Sequence, residues 1–199
     1  MMSMNLLPCD GIMTMHDMNV DDATTLSWFK TLLQDTAWRD ETITMFGRQV
    51  MQPRRTALYG DDGFTYRYSG RTMRPLPWTP TLLKLKDVAE QHADTSFTTV
   101  LLNLYRNGAD SMGWHRDNER ELGVNPVIAS ISLGATRMFQ CKHRSDPSQR
   151  LALPLHHSSV LVMKGAMQEH WYHRVPKERG VAEPRINLTF RTIVGTGGF

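Results

Sequence analysis

A histidine and a carboxylate stand two positions apart in the chain, at His115 and Asp117. On a β-strand, residues i and i+2 point to the same side, so both side chains could bind one metal ion. A third ligand would come from downstream, where His170 and His173 lie three positions apart. On a strand these two histidines would face opposite sides, and we expect only one of them to reach the metal. Their spacing does not say which one.

Two histidines and one carboxylate on one side of an ion leave its other coordination positions open. This arrangement is typical of mononuclear Fe(II) oxygenases, in which a cosubstrate and O₂ must both coordinate. The same three ligands also suit a hydrolytic Zn²⁺ ion. A single His-x-Asp pair also arises by chance, so other residues must decide between these interpretations.

The segment 185–191 alternates strictly between polar and apolar residues. As a strand, it would carry Arg185, Asn187, Thr189 and Arg191 on one face and Ile186, Leu188 and Phe190 on the other. Two arginines on such a face favour an anionic ligand, because guanidinium binds carboxylate in a bidentate manner. Their Cα atoms would lie roughly 20 Å apart, and the long side chains could fold inward onto a small dicarboxylate. The alternative is a polar strand that faces solvent.

Asn103 and Tyr105 would share a face of an earlier strand and could bind the same ligand. Taken alone, a tyrosine on such a strand more often packs in a core. A dicarboxylate pocket beside a metal with open positions favours an Fe(II) oxygenase that uses a dicarboxylate cosubstrate. A zinc hydrolase would leave Arg185 and Arg191 unexplained.

Two amphipathic helices are predicted before residue 97, at 20–35 and 79–92. The apolar face of the first would be formed by Leu26, Phe29, Leu32 and Leu33. The second would begin at Thr79-Pro80, a suitable cap and first turn, and its apolar stripe would be Leu82, Leu85, Val88 and Ala89.

Short β segments separated by turns are predicted from Phe97 onward. They are 97–106, 111–116, 127–133, 136–142, 151–155, 158–163, 171–175 and 184–194, with a further strand or hairpin at 64–68. Antiparallel strands at this spacing indicate a sandwich or jelly roll. We therefore expect an α+β, mainly β fold, with the N-terminal helices packed on one sheet.

The composition of the 199 residues is that of one ordinary globular domain, with 40% hydrophobic and 22% charged residues. No apolar run approaches the roughly 20 residues that a membrane span needs, and we expect no membrane association and no secretory signal. The only cysteines are Cys9 and Cys141. This excludes a disulfide framework and predicts a reducing, cytoplasmic location.

The charge is unevenly distributed along the chain. Residues 1–45 hold seven acidic and two basic groups, a net charge of −5. Because the whole chain has a net charge of +3, the remaining residues carry a net charge of +8. One basic cluster contains Arg48, Arg54, Arg55, Arg67, Arg71 and Arg74, and a second contains Lys142, Arg144 and Arg150. Such clusters suit a polyanionic partner, although a solvated basic surface is the alternative.

Taken together, these residues resemble the AlkB family of Fe(II)/2-oxoglutarate dioxygenases. The resemblance runs from about Met45 to Ile193 and is carried by the segments 103–105, 115–119, 128–134, 171–177 and 185–191. It looks closest to the branch that contains the human nuclear DNA repair homologue, which Pro53-Arg54, 59–61, 65–70 and Pro77-Trp78 also resemble.

The resemblance implies a double-stranded β-helix in which His115, Asp117 and His173 bind iron. It implies a 2-oxoglutarate site formed by Asn103, Tyr105, Arg185, Asn187, Thr189 and Arg191. The implied reaction uses Fe(II), 2-oxoglutarate and O₂ to oxidise an N-alkyl carbon on a base such as 1-methyladenine or 3-methylcytosine in DNA. The implied division of a single domain 1–199 is an N-terminal extension and helix (1–40), a nucleotide-recognition region (41–96) and a catalytic core (97–199).

The alkylated base would have to leave the duplex to react. By resemblance, Phe46 with Gly47 would form a finger that fills the gap in the stack. From their position and charge, Arg48, Arg54 and Arg55 would contact phosphates. Tyr66 and Tyr68 could stack on the flipped base and Glu119 could read its edge. Each also has a structural interpretation, as core, barrel packing or a solvated turn.

Two positions depart from the branch: Asn118 replaces an acidic residue, and Tyr68 stands where phenylalanine occurs. Both leave the preferred lesion open. The alternatives are the same chemistry on RNA, free nucleotide or protein, and a nucleic-acid-binding protein without activity. We expect a monomer, located with the nucleic acid in a cytoplasm, nucleoid or nucleus.

Overall fold

The computed structural model describes residues 4–45, 48–63, 66–68 and 71–194, and their side chains outside 43–48 and 66–73. Its three helices are α1 (Asp22–Asp35), α2 (Pro80–Ala93) and α3 (Met167–His170). Its strands are β1 (Ile12–Asp17), β2 (Arg39–Met45), β3 (Arg48–Gly60), β4 (Tyr66–Tyr68), β5 (Arg71–Met73), β6 (Thr99–Tyr105), β7 (Met112–His115), β8 (Ile128–Gly134), β9 (Arg137–His143), β10 (Arg150–Leu155), β11 (Ser159–Lys164), β12 (Trp171–Val175) and β13 (Arg185–Arg191).

The strands form two main antiparallel sheets. The major sheet has the order β1-β11-β8-β13-β6-β3-β2, and the minor sheet has the order β10-β9-β12-β7. A separate ribbon joins β4 to β5. The predicted mainly β jelly roll is confirmed, with α1 and α2 packed against β8 of the major sheet.

The two helices bury one face of the major sheet. Ile186, Leu188 and Phe190 of β13 share a core with Leu82 and Leu85 of α2. A second core, which includes Tyr105 and Phe139, lies on the other side of that sheet. Because side chains alternate along a strand, the polar residues of β13 must point away from the helices.

The helix predictions are largely confirmed. Asp21 caps α1 by accepting a hydrogen bond from the Thr24 amide at 2.9 Å, and Thr79 caps α2 as expected. The apolar face predicted for α1 was partly wrong: Leu32 is buried, but Leu26 is 46% exposed. Thr25, the residue before Leu26, is buried instead, while Phe29 and Leu33 pack partly buried against the core.

The region before residue 64 contains three strands that the sequence analysis did not predict. β1 pairs with β11 at one edge of the major sheet, and β2 and β3 form a long hairpin at the other. The signal for β1 was weak, since Met13 and Met15 alternate with polar residues but methionine has no strong strand preference. The predicted strand at 64–68 is confirmed as β4 for residues 66–68; residues 64 and 65 lie outside the described part.

Candidate metal centre and cosubstrate pocket

His115 and His173 face each other from neighbouring strands of the minor sheet. They are register partners in β7 and β12, with ring centroids 4.2 Å apart. The pairing shifts by one residue beside them: His173 is opposite His115, but Val175 is opposite Met112. This β-bulge turns both Met112 and His115 towards the cavity, and Trp114 away from it.

Asp117 completes the group from just beyond the strand. The sequence argument placed it on one strand with His115, but β7 ends at His115 and Asp117 follows it in a loop. Its Oδ1 lies 3.9 Å from His115 Nε2, and one potential ligand atom from each of Asp117, His115 and His173 lies within 4.8 Å of the others. These three residues could therefore hold one metal ion.

His170, the other histidine considered, is not part of this group. The parity argument assumed that it lies on a strand, and that premise was wrong, because His170 ends the four-residue α3. Its ring stacks on His143 at 5.9 Å between centroids and an angle of 4°. The structure thus leaves His173 as the histidine that meets His115 and Asp117.

The loop that carries Asp117 is fixed by α3. The Asp117 amide donates to Gln168 Oε1 at 2.9 Å, and the Arg116 guanidinium donates to the Glu169 carbonyl at 2.7 Å. Gln168 is itself 2% exposed. Because α3 leads directly into β12, one short helix positions both Asp117 and the strand that carries His173.

The protonation states suit a metal site. Burial lowers the pKa of His115, and it lowers the pKa of His173 to about 3 with help from His115. Burial would raise the pKa of Asp117, but Arg191 and the two histidines outweigh it and lower that pKa to about 2. Two neutral imidazoles and one carboxylate are the forms that bind a divalent metal.

The hydrogen bonds also leave room for an ion. His115 Nδ1 lies 2.9 Å from the Gly113 carbonyl, which leaves Nε2 for a metal. His173 Nδ1 is buried and has no hydrogen-bond partner among the described residues. A buried imidazole nitrogen without a partner costs free energy unless something binds it. The three residues therefore fit a divalent metal ion such as Fe(II).

The polar face of β13 points into the space between the sheets. All seven residues of β13 are buried, so a solvent-facing polar strand is excluded. The cavity beside the metal ligands is lined by Asn103, Tyr105, Ser130, Arg185, Asn187, Thr189 and Arg191, among others. All of these except Ser130 were predicted from the sequence to share one pocket, and their placement agrees with that prediction.

Arg185 is the best indication of an anionic ligand. It is 1% exposed; Nη2 donates to Ser132 Oγ at 2.8 Å, and the guanidinium lies 5.3 Å from the centre of the Tyr105 ring. Its Nε and Nη1 have no hydrogen-bond partner in the part of the chain that the structure describes. Burial lowers its pKa to about 10, so it remains charged at neutral pH. A buried cation with two unused donors fits a carboxylate.

The two arginines of β13 are not equivalent. We expected both to grip the ends of one dicarboxylate, but Arg191 Nη2 lies 2.8 Å from Asp117 Oδ1, at the metal end of the pocket. Arg185 lies at the other end, beside Tyr105. The cavity therefore has a metal end and a cationic end.

Amide and hydroxyl groups form a chain across the middle of the pocket. Asn187 Nδ2 donates to Ser130 Oγ at 2.7 Å, and Thr189 Oγ1 donates to Asn187 Oδ1 at 3.0 Å. Asn103 Oδ1 accepts from Arg54 Nε at 2.8 Å. Arg54 is 4% exposed, so its predicted phosphate contact was wrong: it holds Asn103, which lines the pocket.

Three contributors to the pocket were not predicted from the sequence: Ser130, which lines it, and Arg54 and Ser132, which bond to Asn103 and Arg185. Ser130 and Ser132 lie two apart on β8, which was a usable signal, since they share a face of a strand next to β13. Arg55, also assigned to phosphate, forms an ion pair with Asp40 at 3.2 Å.

The predicted base-contacting residues are only partly described. Phe46 and Gly47 lie outside the described residues. Arg48 begins β3, and Tyr66 and Tyr68 lie on β4, but their side chains are not described. Glu119 precedes a short 3₁₀ turn at 120–122 and is partly exposed, two residues from Asp117. The roles of these residues stay predictions.

A second group of potential ligands, Cys9, Asp10 and His143, lies apart from this pocket. The Asp146 amide donates to His143 Nδ1 at 3.1 Å, so the proton of the neutral ring is on Nε2. That Nε2 lies 3.2 Å from Asp10 Oδ2. The His143 ring therefore lies at ion-pair distance from Asp10, but its Nε2 makes no hydrogen bond among the described residues.

Comparison with known proteins agrees with the site. The family described as the 2OG-Fe(II) oxygenase superfamily matches residues 11–191. The chain belongs to this superfamily and, within it, to the AlkB family. Membership brings Fe(II), 2-oxoglutarate and O₂ as predicted, and His115, Asp117 and His173 are the ligands that fit the ion.

The curated relatives narrow the comparison. The chain is 46% identical to "Alpha-ketoglutarate-dependent dioxygenase alkB homolog 3" from Bos taurus over 84% of its length and 61% of the relative. It is 44% identical to "DNA oxidative demethylase ALKBH2" from Homo sapiens over 77% of its length and 62% of the relative. The chain thus spans about three fifths of the length of these relatives. Its sequence identity to alkB homolog 3 and to ALKBH2 is nearly the same, so identity does not favour either.

A solved structure, titled "The structure of OsALKBH1", shares the fold. Its TM-score with this chain is 0.64 at 16% identity, over 90% of this chain and 97% of that one. No helix in the described ranges is long and apolar enough to cross a membrane.

Proposed function

We propose that this chain removes N-alkyl groups from nucleic-acid bases by oxidation, with 1-methyladenine and 3-methylcytosine in DNA as substrates. One observation carries the proposal: a single buried cavity joins a His-Asp-His group to a charged arginine with unused donors. The substrate class is supported by relatives named as DNA oxidative demethylases.

In this proposal His115, Asp117 and His173 bind Fe(II), and Asn103, Tyr105, Arg185, Asn187, Thr189 and Arg191 hold 2-oxoglutarate. When bound, Fe(II) with 2-oxoglutarate and O₂ supplies the oxidation of the alkyl carbon, which then leaves the base as an aldehyde. Arg185 would bind the carboxylate far from the metal. Arg191 would keep Asp117 ionised and oriented for the ion. The two sheets would shield the space between them from bulk solvent.

The same proposal assigns residues 41–96 to recognition of the nucleic acid and 97–199 to catalysis. Phe46 with Gly47 would fill the gap left by the flipped base, and Arg48 would contact phosphates. Tyr66, Tyr68 and Glu119 would contact the base itself. We further propose that the protein is a monomer and that it acts in the compartment that contains the DNA, which is a cytoplasm, nucleoid or nucleus. Light scattering of the purified chain would test the monomer.

The test is anaerobic loading with Fe(II), followed by O₂, 2-oxoglutarate and oligonucleotides that carry 1-methyladenine or 3-methylcytosine. Succinate and base mass are followed together. Loss of the methyl group in step with succinate supports the proposal, and matched RNA oligonucleotides show whether DNA is preferred. Succinate without repair would keep the oxygenase and reject this substrate. Neither product, with iron bound, would reject catalysis.

The Phe46→Ala variant tests how the base is reached. We expect repair in a duplex to fall by roughly tenfold, since opening the duplex costs a few kcal/mol, while repair of a single strand changes little. The ratio of the two rates is the readout. Equal loss on both substrates would contradict the finger role.

A further inference from the structure

The outer face of the minor sheet, on the side away from the metal, is unusually basic and aromatic. We define this outer face by Trp114, Gln140, Lys142, Arg150, Tyr172 and Arg174. Two of its basic residues belong to the second basic cluster in the sequence. None of these six residues is needed to bind the metal.

The alternation of the strands places these residues outside. In β12, His173 faces the cavity, so Tyr172 points the other way. Arg174 borders the cavity, and its side chain contacts Trp114 and Gln140 on the outer face. In β9, buried Cys141 alternates with the partly exposed Gln140 and Lys142. The bulge in β7 puts Trp114 on this side as well.

Cations and aromatic rings interleave across this face. Lys142 Nζ lies 4.6 Å from the centre of the Trp114 ring and 5.7 Å from that of Tyr172. The guanidinium carbon of Arg174 lies 4.4 Å from the centre of the Trp114 ring, and that of Arg116 lies 5.2 Å from the centre of the Tyr172 ring. The rings hold these long side chains in place, so less entropy is lost when they bind a partner.

The positive charges of the outer face repel one another and so do not stabilise the folded chain. Lys142 is directly opposite Arg150 in the register of β9 and β10, and like charges in that position are destabilising. No Asp or Glu occurs in β7, β9, β10 or β12, all four of which the structure describes. An anionic partner would remove this repulsion.

We propose that the outer face binds the sugar-phosphate backbone of a nucleic acid, as a second contact site beside the pocket. The identity of the anion rests on the proposed function. The cations match phosphates, and the interleaved Trp114 and Tyr172 offer ring faces to unpaired bases, which an acidic protein would not use. β7 is the edge strand of its sheet, so a strand bound here can pass around that edge to the metal side.

The test compares two variants that each lose two positive charges. Lys142→Gln/Arg150→Gln changes the outer face, and Lys30→Gln/Lys84→Gln changes exposed positions on α1 and α2. Binding of an unmodified fluorescent oligonucleotide, single-stranded and duplex, is measured by anisotropy over a salt series. We expect the outer-face variant to bind roughly tenfold more weakly, with a salt slope smaller by about 1.4 for the single strand and about 1.8 for the duplex. The control should match the native chain.

Thermal unfolding separates this from misfolding. Because the repulsion between Lys142 and Arg150 is relieved, we expect the Tm of the outer-face variant not to fall. Equal weakening in both variants, or an unchanged salt slope, would overturn the proposal. Equal binding of a polyglutamate peptide through the same two residues would overturn the choice of nucleic acid.

Binding of an undamaged oligonucleotide requires no turnover, so this result is independent of the repair assay. If the native chain repairs bases but the outer-face variant binds normally, only the outer-face proposal fails. If the native chain repairs nothing but the variant loses affinity, the repair proposal fails and the outer face stands.

Discussion

Arg191 Nη2 lies 2.8 Å from Asp117 Oδ1, and both side chains are almost completely buried. One reaches the site from the central strand of the major sheet, and the other from the loop after the edge strand of the minor sheet. The pair therefore joins the two sheets at the metal site. Its charge keeps the pKa of Asp117 near 2 despite burial, and this leads to a first prediction.

We expect Arg191→Met to destabilise the metal-free chain by about 3–5 kcal/mol at pH 7, because it leaves a buried carboxylate without its partner. In the native chain the pKa of Asp117 is below its unfolded value of 3.8, so the stability that this group contributes is present above about pH 4 and is lost as pH falls towards 2. In the variant, only the two histidines oppose the effect of burial, so we expect the pKa of Asp117 to rise and the penalty to shrink as pH falls.

Urea unfolding in the presence of a chelator, at pH 7 and pH 5, measures this. The difference in unfolding free energy between native chain and variant should be smaller at pH 5. The control is Asp117→Asn/Arg191→Met, which removes the unpaired charge and should recover much of the loss. A difference that does not change with pH would mean that Asp117 is not the group responsible.

The second prediction separates the two neighbouring histidines. His173→Ala should abolish Fe(II) binding and turnover, because it removes one of three ligands. His170→Ala should leave both intact, since His170 stacks on His143 instead. Anaerobic calorimetry with Fe(II) and the absorption spectrum of the Co²⁺-loaded chain measure this. Equal loss in both variants would reject the ligand assignment.

The third prediction concerns the cationic end of the pocket. Arg185→Gln should raise the KM for 2-oxoglutarate roughly 100-fold, equivalent to about 2.7 kcal/mol, because a buried charge-assisted bidentate pair is lost. Arg185→Lys should recover little, since ammonium lacks the planar fork. The exposed Arg179 provides the control as Arg179→Gln. A KM unchanged in Arg185→Gln would place the cosubstrate elsewhere.

A fourth prediction follows from the clamp that α3 places on Asp117. Gln168→Leu removes the acceptor for the Asp117 amide, and we expect metal affinity to fall roughly 10- to 100-fold, as when other groups that orient a metal ligand are lost. Glu169→Gln is the control, because only its main-chain carbonyl contacts Arg116. Co²⁺ titration is the readout. Loss of stability without loss of metal affinity would indicate a merely structural role.

Much of the site could be predicted because β13 alternates without interruption. Strict alternation determines which side chains share a face, and a central strand buries both faces, so the polar set of Arg185 to Arg191 had to point into a pocket. The histidine choice was less secure. The spacing argument assumed that His170 and His173 lie on one strand, but His170 belongs to α3. Only the family resemblance selected His173.

Contacts between distant strands could not be predicted from local pattern. Arg54 reaches Asn103 only because β3 pairs with β6, and Ser130 reaches Asn187 only because β8 pairs with β13. Alternation says which way a residue points, but not which strand lies beside it. The same limit hid β1, whose place at the sheet edge depends on pairing with β11.

The one-residue bulge in β7 makes the length of that strand matter more than its composition. Gly113 is exposed, and a Cβ atom built on it would meet no atom within 4 Å, so this position should accept alanine. Deleting it would instead restore regular pairing and turn Met112 away from the side that His115 faces. An insertion or deletion here would thus reverse which side chains of β7 face the cavity. A substitution of Gly113 itself would leave those side chains in place.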